Sequence, residues 1–392
     1  MITAKKVCMV VSNPFINDSR VLREAQSLAS NGYEVTVFAT EGGKFEEEEH
    51  IGRITVKRLR VKNYALIHLK FWKAYTVFYK LVKILSAEQA SVYHSHDADT
   101  LLMCFLAAKK NKAKLVYDFH EYWRAKNYFS KNFFEFLWTR LVKKYEYRLV
   151  EKMIAPRADA LITVNDSLAE EFKKDYRIKK NPVVLFNTPS YVPQNRLVPS
   201  LLRHKIGARK DDRLILFLGG LNRNRGLDNL VRSLDYLGQE FKTVFIGYGP
   251  LRDKISEMGK AGKYRGRVFV LEAVPSAEVP RWASGADLGI APIQNATWSY
   301  FHSSPNKVFE YLMAGLPIAC SAFPEMKRIV EENNVGATFD PESPKDIARA
   351  IKDIFSSEIG YEKMKENAYK AAKEKYNWET EEKKLLEIYQ KL

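Results

Sequence analysis

Apolar runs of strand length alternate with helical patterns along the whole chain, and the alternation comes in two series. The first holds "KVCMVVS", "EVTVFAT", "ITVKRLR", "SVYHSH", "KLVYDFH", "ALITV" and "VVLFN", separated by patterns such as "DSRVLREAQSLASNG". The second holds "RLILFLGG", "KTVFIGYG", "RVFVLEAV", "LGIAPI", "PIACS" and "GATFD". A strand wetted on one face alternates apolar and polar residues. These runs are apolar almost throughout, as parallel strands covered by helices on both faces must be. The pattern predicts α/β architecture with doubly wound parallel sheets. Between the series lies "NTPSYVPQNRLVPS", polar and rich in proline, which reads as a linker. At 392 residues the chain exceeds what one hydrophobic core usually serves. Each series is therefore expected to form its own domain, with ligands in a cleft at the carboxyl ends of the strands.

Cys8, Cys104 and Cys320 are too few and too scattered for a disulfide framework or a metal cluster, which fits a reducing compartment. The apolar run in "MITAKKVCMVVSN" is too short for a signal-peptide core, and no other run reaches the ~18 apolar residues of a membrane span. A cytoplasmic protein, soluble or peripheral on a membrane, is expected. The formal net charge of +16 is uneven, residues 1–200 holding 33 Lys and Arg against 21 Asp and Glu. Wound at about 100° per residue, "IHLKFWKAYTVFYKLVKIL" sets Lys70, Lys73, Lys80 and Lys83 on one face, and Phe71, Trp72, Tyr75, Phe78 and Tyr79 on another. "NYFSKNFFEFLWTRLVKKYEYRLVEKM" repeats the mixture. Two readings follow: a face that meets anionic lipid, or two surface helices with aromatic core faces and solvated lysines. No helix-turn-helix, zinc-finger or RNA-binding aromatic motif occurs, so nucleic acid is not an expected partner.

The turns at the strand ends carry the chemistry. In "FLGGLNRNRGLDNLV" a strand runs into Gly219 and Gly220, then a loop with Arg223 and Arg225, then Gly226 and a helix. Glycines let a backbone approach a ligand closely, and an arginine beside a helix start suits a diphosphate; the same turn also occurs for purely structural reasons. "FIGYGPLRDKI" brings Gly247 and Gly249 to the next strand end, with Pro250 opening a helix. Neither stretch is Gly-x-Gly-x-x-Gly, which argues against a nicotinamide enzyme. In "HSSPNKVFEYLMAGLPIACS" Ser304 is the expected N-cap and Pro305 the first helical residue, which places Asn306 and Lys307 in the first turn. A lysine there opposes the helix dipole, so its position suggests a resident anion. Glu310, three residues on, is able to accept hydrogen bonds from two adjacent hydroxyls such as those of a ribose, or simply to pair with Lys307.

The set "SNPFINDSRVLREAQSLASNGYEVTVFAT", "HSHDADTLL", "LVYDFHE", "ITVNDSLAEEF", "GGLNRNRG", "IGYGPL" and "SPNKVFEYLMAGLPIACSAFPEMKRIV" resembles the family 4 glycosyltransferases, in order and over essentially the whole chain. The resemblance implies the GT-B fold, two Rossmann-like domains facing across a cleft. Residues 1–195 would form the acceptor side and 196–375 the nucleotide-sugar side, with a final helix in 376–392 crossing back to the first domain. It also implies transfer from a nucleotide-sugar with retention of anomeric configuration, and no metal or other cofactor. By the same resemblance Arg225 stands where the family has the lysine of its Lys-Gly pair, and Lys307 supplies a second diphosphate contact; both would neutralise charge on the leaving nucleotide. Asn306 lies beside Lys307, and Gly219, Gly220, Gly247 and Gly249 line the donor site. Glu310 matches the second glutamate of the family's Glu, seven residues, Glu motif and would hold the ribose. His302 replaces the first glutamate and Gly220 an arginine, which makes "Pro-Asn-Lys-x-Phe-Glu-Tyr" a variant donor motif. His120 matches the strand-end histidine that lines the reaction centre. Asn17, Asp18, Arg20 and Asp97 are candidate acceptor contacts, Asp18 being equally placed to cap a helix.

Asp97-Ala98-Asp99 has the form of a metal-holding pair in the other glycosyltransferase fold, but it precedes a helix in the acceptor-side half, where capping is the expected role. The expectation is a retaining, metal-independent hexosyltransferase. It would move sugar from a nucleotide donor to a lipid-linked or polysaccharide acceptor of cell-surface glycan at the inner membrane face, its basic first half meeting anionic lipid. Two other readings stand beside it. An epimerase or hydrolase of the same fold would turn over donor without any acceptor, and a non-catalytic binding protein would tolerate the departures at His302 and Gly220.

Overall fold

The structure, a computed structural model, describes residues 5–16, 18–40, 45–59, 71–120, 144–260 and 262–392, with only the backbone of residues 71–75 and 144. The chain divides into two compact units, Met1–Leu185 with Glu382–Leu392, and Phe186–Glu381.

The first unit is built on β1 (Lys6–Val11), β2 (Glu34–Ala39), β3 (Glu48–Ile51), β4 (Ile54–Arg58), β5 (Val92–His96), β6 (Lys114–Phe119), β7 (Ala160–Thr163) and β8 (Val183–Val184). They form one sheet in the order β3-β4-β2-β1-β5-β6-β7-β8, parallel throughout except for the β3–β4 pair. The register runs from Lys6 opposite Glu34 to Val11 opposite Ala39 on one side of β1, and places Val92 opposite Val7 on the other. The chain reverses its direction of growth between β1 and β5, which makes a switch point there. Asp18 opens the helix Ser19–Ser30, its carboxylate accepting from Val21 N at 3.1 Å. The helix Ala98–Asn111 packs against both Phe71–Ala87 and Lys144–Ile154. The end of the helix Trp378–Gln390 completes this unit: Leu385 and Tyr389 are buried, and the Tyr389 ring meets Tyr33 edge-on at 5.5 Å.

The second unit holds β9 (Arg213–Leu218), β10 (Phe241–Ile246), β11 (Val268–Leu271), β12 (Leu288–Ala291), β13 (Ile318–Ser321) and β14 (Gly336–Phe339), all parallel, in the order β11-β10-β9-β12-β13-β14. Because side chains alternate sides along a strand, β9 sends Leu214, Leu216 and Leu218 into one core layer and Ile215 and Phe217 into another. The switch point lies between β9 and β12. The proline-rich stretch expected as a linker is packed into this unit instead. Trp378 N donates to Pro189 O at 2.9 Å, Tyr191 N to Glu379 Oε2 at 3.0 Å, and Val192 N lies 3.2 Å from Met313 Sδ. Its backbone donors find partners on the last helix and on the helix Asn306–Met313, which the composition of the stretch does not disclose.

Candidate functional site

In the second unit the strand ends and the helix Asn306–Met313 converge on Lys307. That helix is fixed by Tyr311, whose hydroxyl donates to Ile290 O and accepts from Leu218 N, both at 3.0 Å, so it is tied to β12 and β9 at once. Gly289 makes room for the ring, since a Cβ there would lie 2.2 Å from Tyr311 Cγ. The cap is one residue later than the sequence suggests. Pro305, not Ser304, stands at the N-cap, its own side chain making no cap bond, with Asn306 as the first helical residue. Lys307 follows, only 7% exposed, its Nζ 3.4 Å from the centre of the Phe217 ring and 3.8 Å from where a Cβ on Gly219 would be. Among the described residues its ammonium has no hydrogen bond and no carboxylate oxygen within 4.0 Å. The Lys307–Glu310 ion pair is thus not formed. Burial pushes the lysine well below its ordinary pKa, Arg225 adds to the depression, and Glu310 partly opposes it. The Arg225 guanidinium lies 4.9 Å from the Tyr300 ring centre. A ring face attracts a cation without consuming N–H donors, which stay available for an anion.

Around this centre Gly247 N donates to Leu271 O and Gly219 N to Ile246 O, at 3.3 and 3.0 Å. The two loops touch so closely that a Cβ on Gly247 would lie 1.9 Å from Gly219 O. Gly247→Ala therefore has to push two backbone segments apart. We expect about 1–3 kcal/mol of lost stability, read as a lower melting temperature, whereas an unchanged melt would mean the loops separate freely. Gly249 is clasped in the same way by Leu221 O, 2.5 Å from its would-be Cβ, while Gly220 would meet only the Asn222 side chain. His302 stacks on Trp298 with ring centres 4.1 Å apart, its Nδ1 3.0 Å from Trp298 O. A carbonyl accepts only, so Nδ1 carries the proton.

In the first unit the polar residues gather at the ends of β5 and β6. Strand periodicity puts His94 with His96, and Asp118 with His120, on common faces, and the helix Ser19–Ser30 brings Arg20 and Glu24 against them. Arg20 is 4% exposed; its Nη2 lies 3.0 Å from Asp118 Oδ2, its Nε 3.0 Å from Glu24 Oε1, and its Nη1 donates to Leu185 O at 2.8 Å. His120 Nε2 is 2.9 Å from Asp118 Oδ2, and its backbone N donates to Asp97 Oδ1 at 2.9 Å. His94 and His96 stack at 4.3 Å, and His94 Nδ1 meets Tyr389 Oη at 2.9 Å. Asp118 is held well below the usual carboxylate range: burial raises it, but Arg20 and His120 outweigh that. Glu24 is pushed up to about 7 by burial and by Asp118, against Arg20. The donor atoms of Glu24, His94, His96 and Asp118 lie within 4.8 Å of one another, a spacing a metal could use. The charge there is already balanced, however: Asp118 Oδ2 faces Arg20 and His120, and Glu24 faces Arg20, so the set reads as an ion-pair network.

The predicted residues fall out as follows. Gly219, Gly220, Gly247 and Gly249 stand at the ends of β9 and β10, with Arg225, His302, Asn306, Lys307 and Glu310 on the elements that follow β9 and β12. His120, Asp97 and Arg20 come together in the first unit. Arg20, read from sequence as an acceptor contact, is buried with its guanidinium on Asp118, Glu24 and Leu185. Asp18 caps its helix and accepts from Asn13 Nδ2 at 2.8 Å. Asp97 does not cap with its side chain. It takes φ 63° and ψ 169°, a conformation an L-residue adopts at a cost of about 1–3 kcal/mol, and turns its carboxylate to His120. Asn17 lies outside the described residues. Glu24, His94, His96 and Asp118 escaped the sequence reading, although a polar face on a buried parallel strand, "HSH" and "DFH", was the signal. Of the basic helices, Lys70 and most of the second stretch are not described. Lys80 and Lys83 are exposed, and Tyr79, Ile84, Tyr145, Leu149 and Met153 are among the exposed large hydrophobics, the last three spaced i, i+4, i+8 along one helix. Among the described residues no helix is long and apolar enough to cross a membrane.

Two family models match the chain: "Glycosyltransferase Family 4" over residues 19–188 and "Glycosyl transferases group 1" over residues 200–371. An uncharacterized glycosyltransferase of Methanocaldococcus jannaschii is 24% identical over 376 residues, 93% of this chain and 91% of that protein. Among solved structures, the sucrose-phosphate synthase of Thermosynechococcus elongatus superposes with a TM-score of 0.74 at 15% identity, over 99% of this chain and 98% of that one. Anabaena HepE in complex with UDP-glucose superposes at 0.70 and 15% identity, over 99% of this chain and 100% of that one.

Proposed function

We propose, from the premise that this chain is a glycosyltransferase with the GT-B fold, that it transfers sugar from a nucleoside-diphosphate sugar, with retention and without a metal, to a lipid-linked or polysaccharide acceptor. The observation that carries the donor half is Lys307. A cation 93% buried without a counter-ion is expensive to keep, and a diphosphate at the amino end of its helix would supply the missing charge. Arg225 over Tyr300 would neutralise the same leaving group, Glu310 would hold the ribose, and the 219–220 and 247–249 loops would lie against the diphosphate through backbone. HepE binds UDP-glucose, which supports a nucleotide-sugar as donor here. With two fixed cations for the leaving group, the chemistry needs no metal. An epimerase or hydrolase would use the same donor site, but no feature favours it.

The test is thermal stability against a panel of nucleoside diphosphates. A ligand at ~100 times its dissociation constant adds about 2.7 kcal/mol, so one base should raise the melting temperature; silence across the panel would sink the donor reading. Chelator should leave turnover unchanged, and restoration by manganese would overturn metal independence. The acceptor half rests on the exposed Tyr145, Leu149 and Met153 stripe and on the lysines of the adjoining helices, a face suited to anionic lipid at the inner membrane surface. Co-sedimentation with phosphatidylglycerol vesicles but not with phosphatidylcholine ones is expected. Equal recovery from both would remove the membrane from the reading.

A further inference from the structure

We propose that Asp118 is a positioning residue that holds His120 as a fixed imidazolium, Nε2 turned inward and Nδ1 outward, so that this histidine serves as a hydrogen-bond donor and not as a base. The functional half of this inference rests on the reading of His120 as a reaction-centre residue; the charge state does not.

The geometry decides which nitrogen carries which proton. His120 Nε2 lies 2.9 Å from Asp118 Oδ2 and 3.1 Å from Arg20 Nε. Arg20 Nε always carries hydrogen, so a bare Nε2 would accept from it and leave a lone pair against the carboxylate at 2.9 Å. A protonated Nε2 instead donates to Asp118 in a charge-assisted bond. Arg20 Nε does not depend on that nitrogen, since Asp118 Oδ2 accepts from it at 3.2 Å and the Glu24 carboxylate pairs with it at 3.0 Å. Nε2 is therefore committed to the protein. Nδ1 is 3.7 Å from Asp97 Oδ2, beyond a hydrogen bond yet close enough for attraction, and the residue is 21% exposed on its side chain. The ring thus sits between two carboxylates, with Nδ1 as its accessible edge.

The groups facing the ring are Asp118 from β6, Asp97 and His96 from the end of β5, and Arg20 and Glu24 from the helix Ser19–Ser30. Burial alone would lower the histidine, but Asp118 and Asp97 more than reverse this and bring it up to about 9, with Arg20 opposing. Asp97 is held in its costly backbone conformation in the turn from which its carboxylate reaches His120. An imidazolium with a free Nδ1–H suits an oxygen that gains negative charge, on the transferred sugar, the acceptor or the leaving group.

The test is a ring-nitrogen NMR titration of ¹⁵N-histidine-labelled full chain without ligand, with His120→Gln assigning the signal among seven histidines. In the wild type both His120 nitrogens should stay protonated past pH 8, with a midpoint near 9. In Asp118→Asn, with Arg20 no longer opposed, the midpoint should fall below about 6.5, the ordinary histidine value. A wild-type midpoint at or below that value overturns the proposal, and so does an Asp118→Asn midpoint that does not move. If Asp118→Asn fails to fold, the wild-type titration still decides, and Asp97→Asn, which should lower the midpoint, is the second variant. Nucleoside-diphosphate melts run on the same samples separate the two readings. Loss of the nucleotide shift in the wild type fails the donor assignment and leaves the histidine titration standing.

Discussion

Lys307→Met is expected to abolish the nucleotide-induced rise in melting temperature while making the ligand-free protein more stable. The two effects have opposite signs because they have one cause. In the free protein the ammonium is buried beside Phe217 with Arg225 pushing it down, so the charge is held against its solvation, and a methionine of similar volume removes that cost. Replacing buried charge by well-packed apolar side chains is neutral to stabilising by about 1–4 kcal/mol. With a diphosphate present the same charge is the partner, and truncating one side of a buried charged pair costs about 2–5 kcal/mol, or ~30- to 5000-fold in affinity. The depressed pKa adds a signature. Diphosphate raises the lysine back toward its ordinary value, so above the depressed free-state pKa binding takes up a proton, and affinity falls as pH rises through that range. Calorimetry in two buffers of different ionisation enthalpy reads this directly. Wild-type-like binding by Lys307→Met, or no proton uptake, would remove the lysine from the donor site.

Arg20→Ala should be the most damaging change in the first unit, at about 3–5 kcal/mol, because it leaves Asp118 and Glu24 buried without their shared counter-ion and Leu185 O without its donor. For a unit of roughly 200 residues each kcal/mol moves the melting temperature by about 2–4 °C, so a fall of about 6–20 °C is expected. A fall of a degree or two would show that water or a proton replaces the guanidinium easily. Wild-type stability should also decline from mildly acidic to basic pH. Glu24 and Glu151 have folded pKa values raised by burial to about 7, so stability is lost as pH climbs from the ordinary glutamate value through 7. His120, raised to about 9, contributes fully below its unfolded value and loses that contribution as pH passes 9. Asp118 acts oppositely: its contribution is full above the ordinary aspartate value and is lost as pH falls.

Both sheets were legible in the sequence because each strand had to be apolar on two faces, and the apolar runs fall on the strands of the two parallel series. The strand that went unread is Glu48–Ile51, an acidic edge paired antiparallel to β4, where only one neighbour constrains composition. The first-turn position of Lys307 was legible because a lysine there contradicts local electrostatics, and the structure buries that side chain. The cap itself was misplaced by one residue, since Ser-Pro fits either register. The buried network of the first unit was not read. His94 and His96 looked like strand, Arg20 and Glu24 like an ordinary amphipathic helix, and only the fold, which pairs β5 with β6 and lays the helix Ser19–Ser30 against them, brings them to one place. Residues that serve each other across a sheet mark each strand with a polar face but do not name their partners.

The first unit is begun by the earliest residues of the chain but closed by Glu382–Leu392, with Tyr389 bonded to His94 and Lys384 Nζ 3.3 Å from Val184 O. During synthesis, at about 5–20 residues per second, the whole of Phe186–Glu381 is made between the two parts of that unit. The second unit, continuous in sequence, is able to complete itself as it leaves the ribosome. The first waits at least ten seconds or so with its histidines unroofed, an interval in which a chaperone has something to hold and a truncated message yields a domain that never closes.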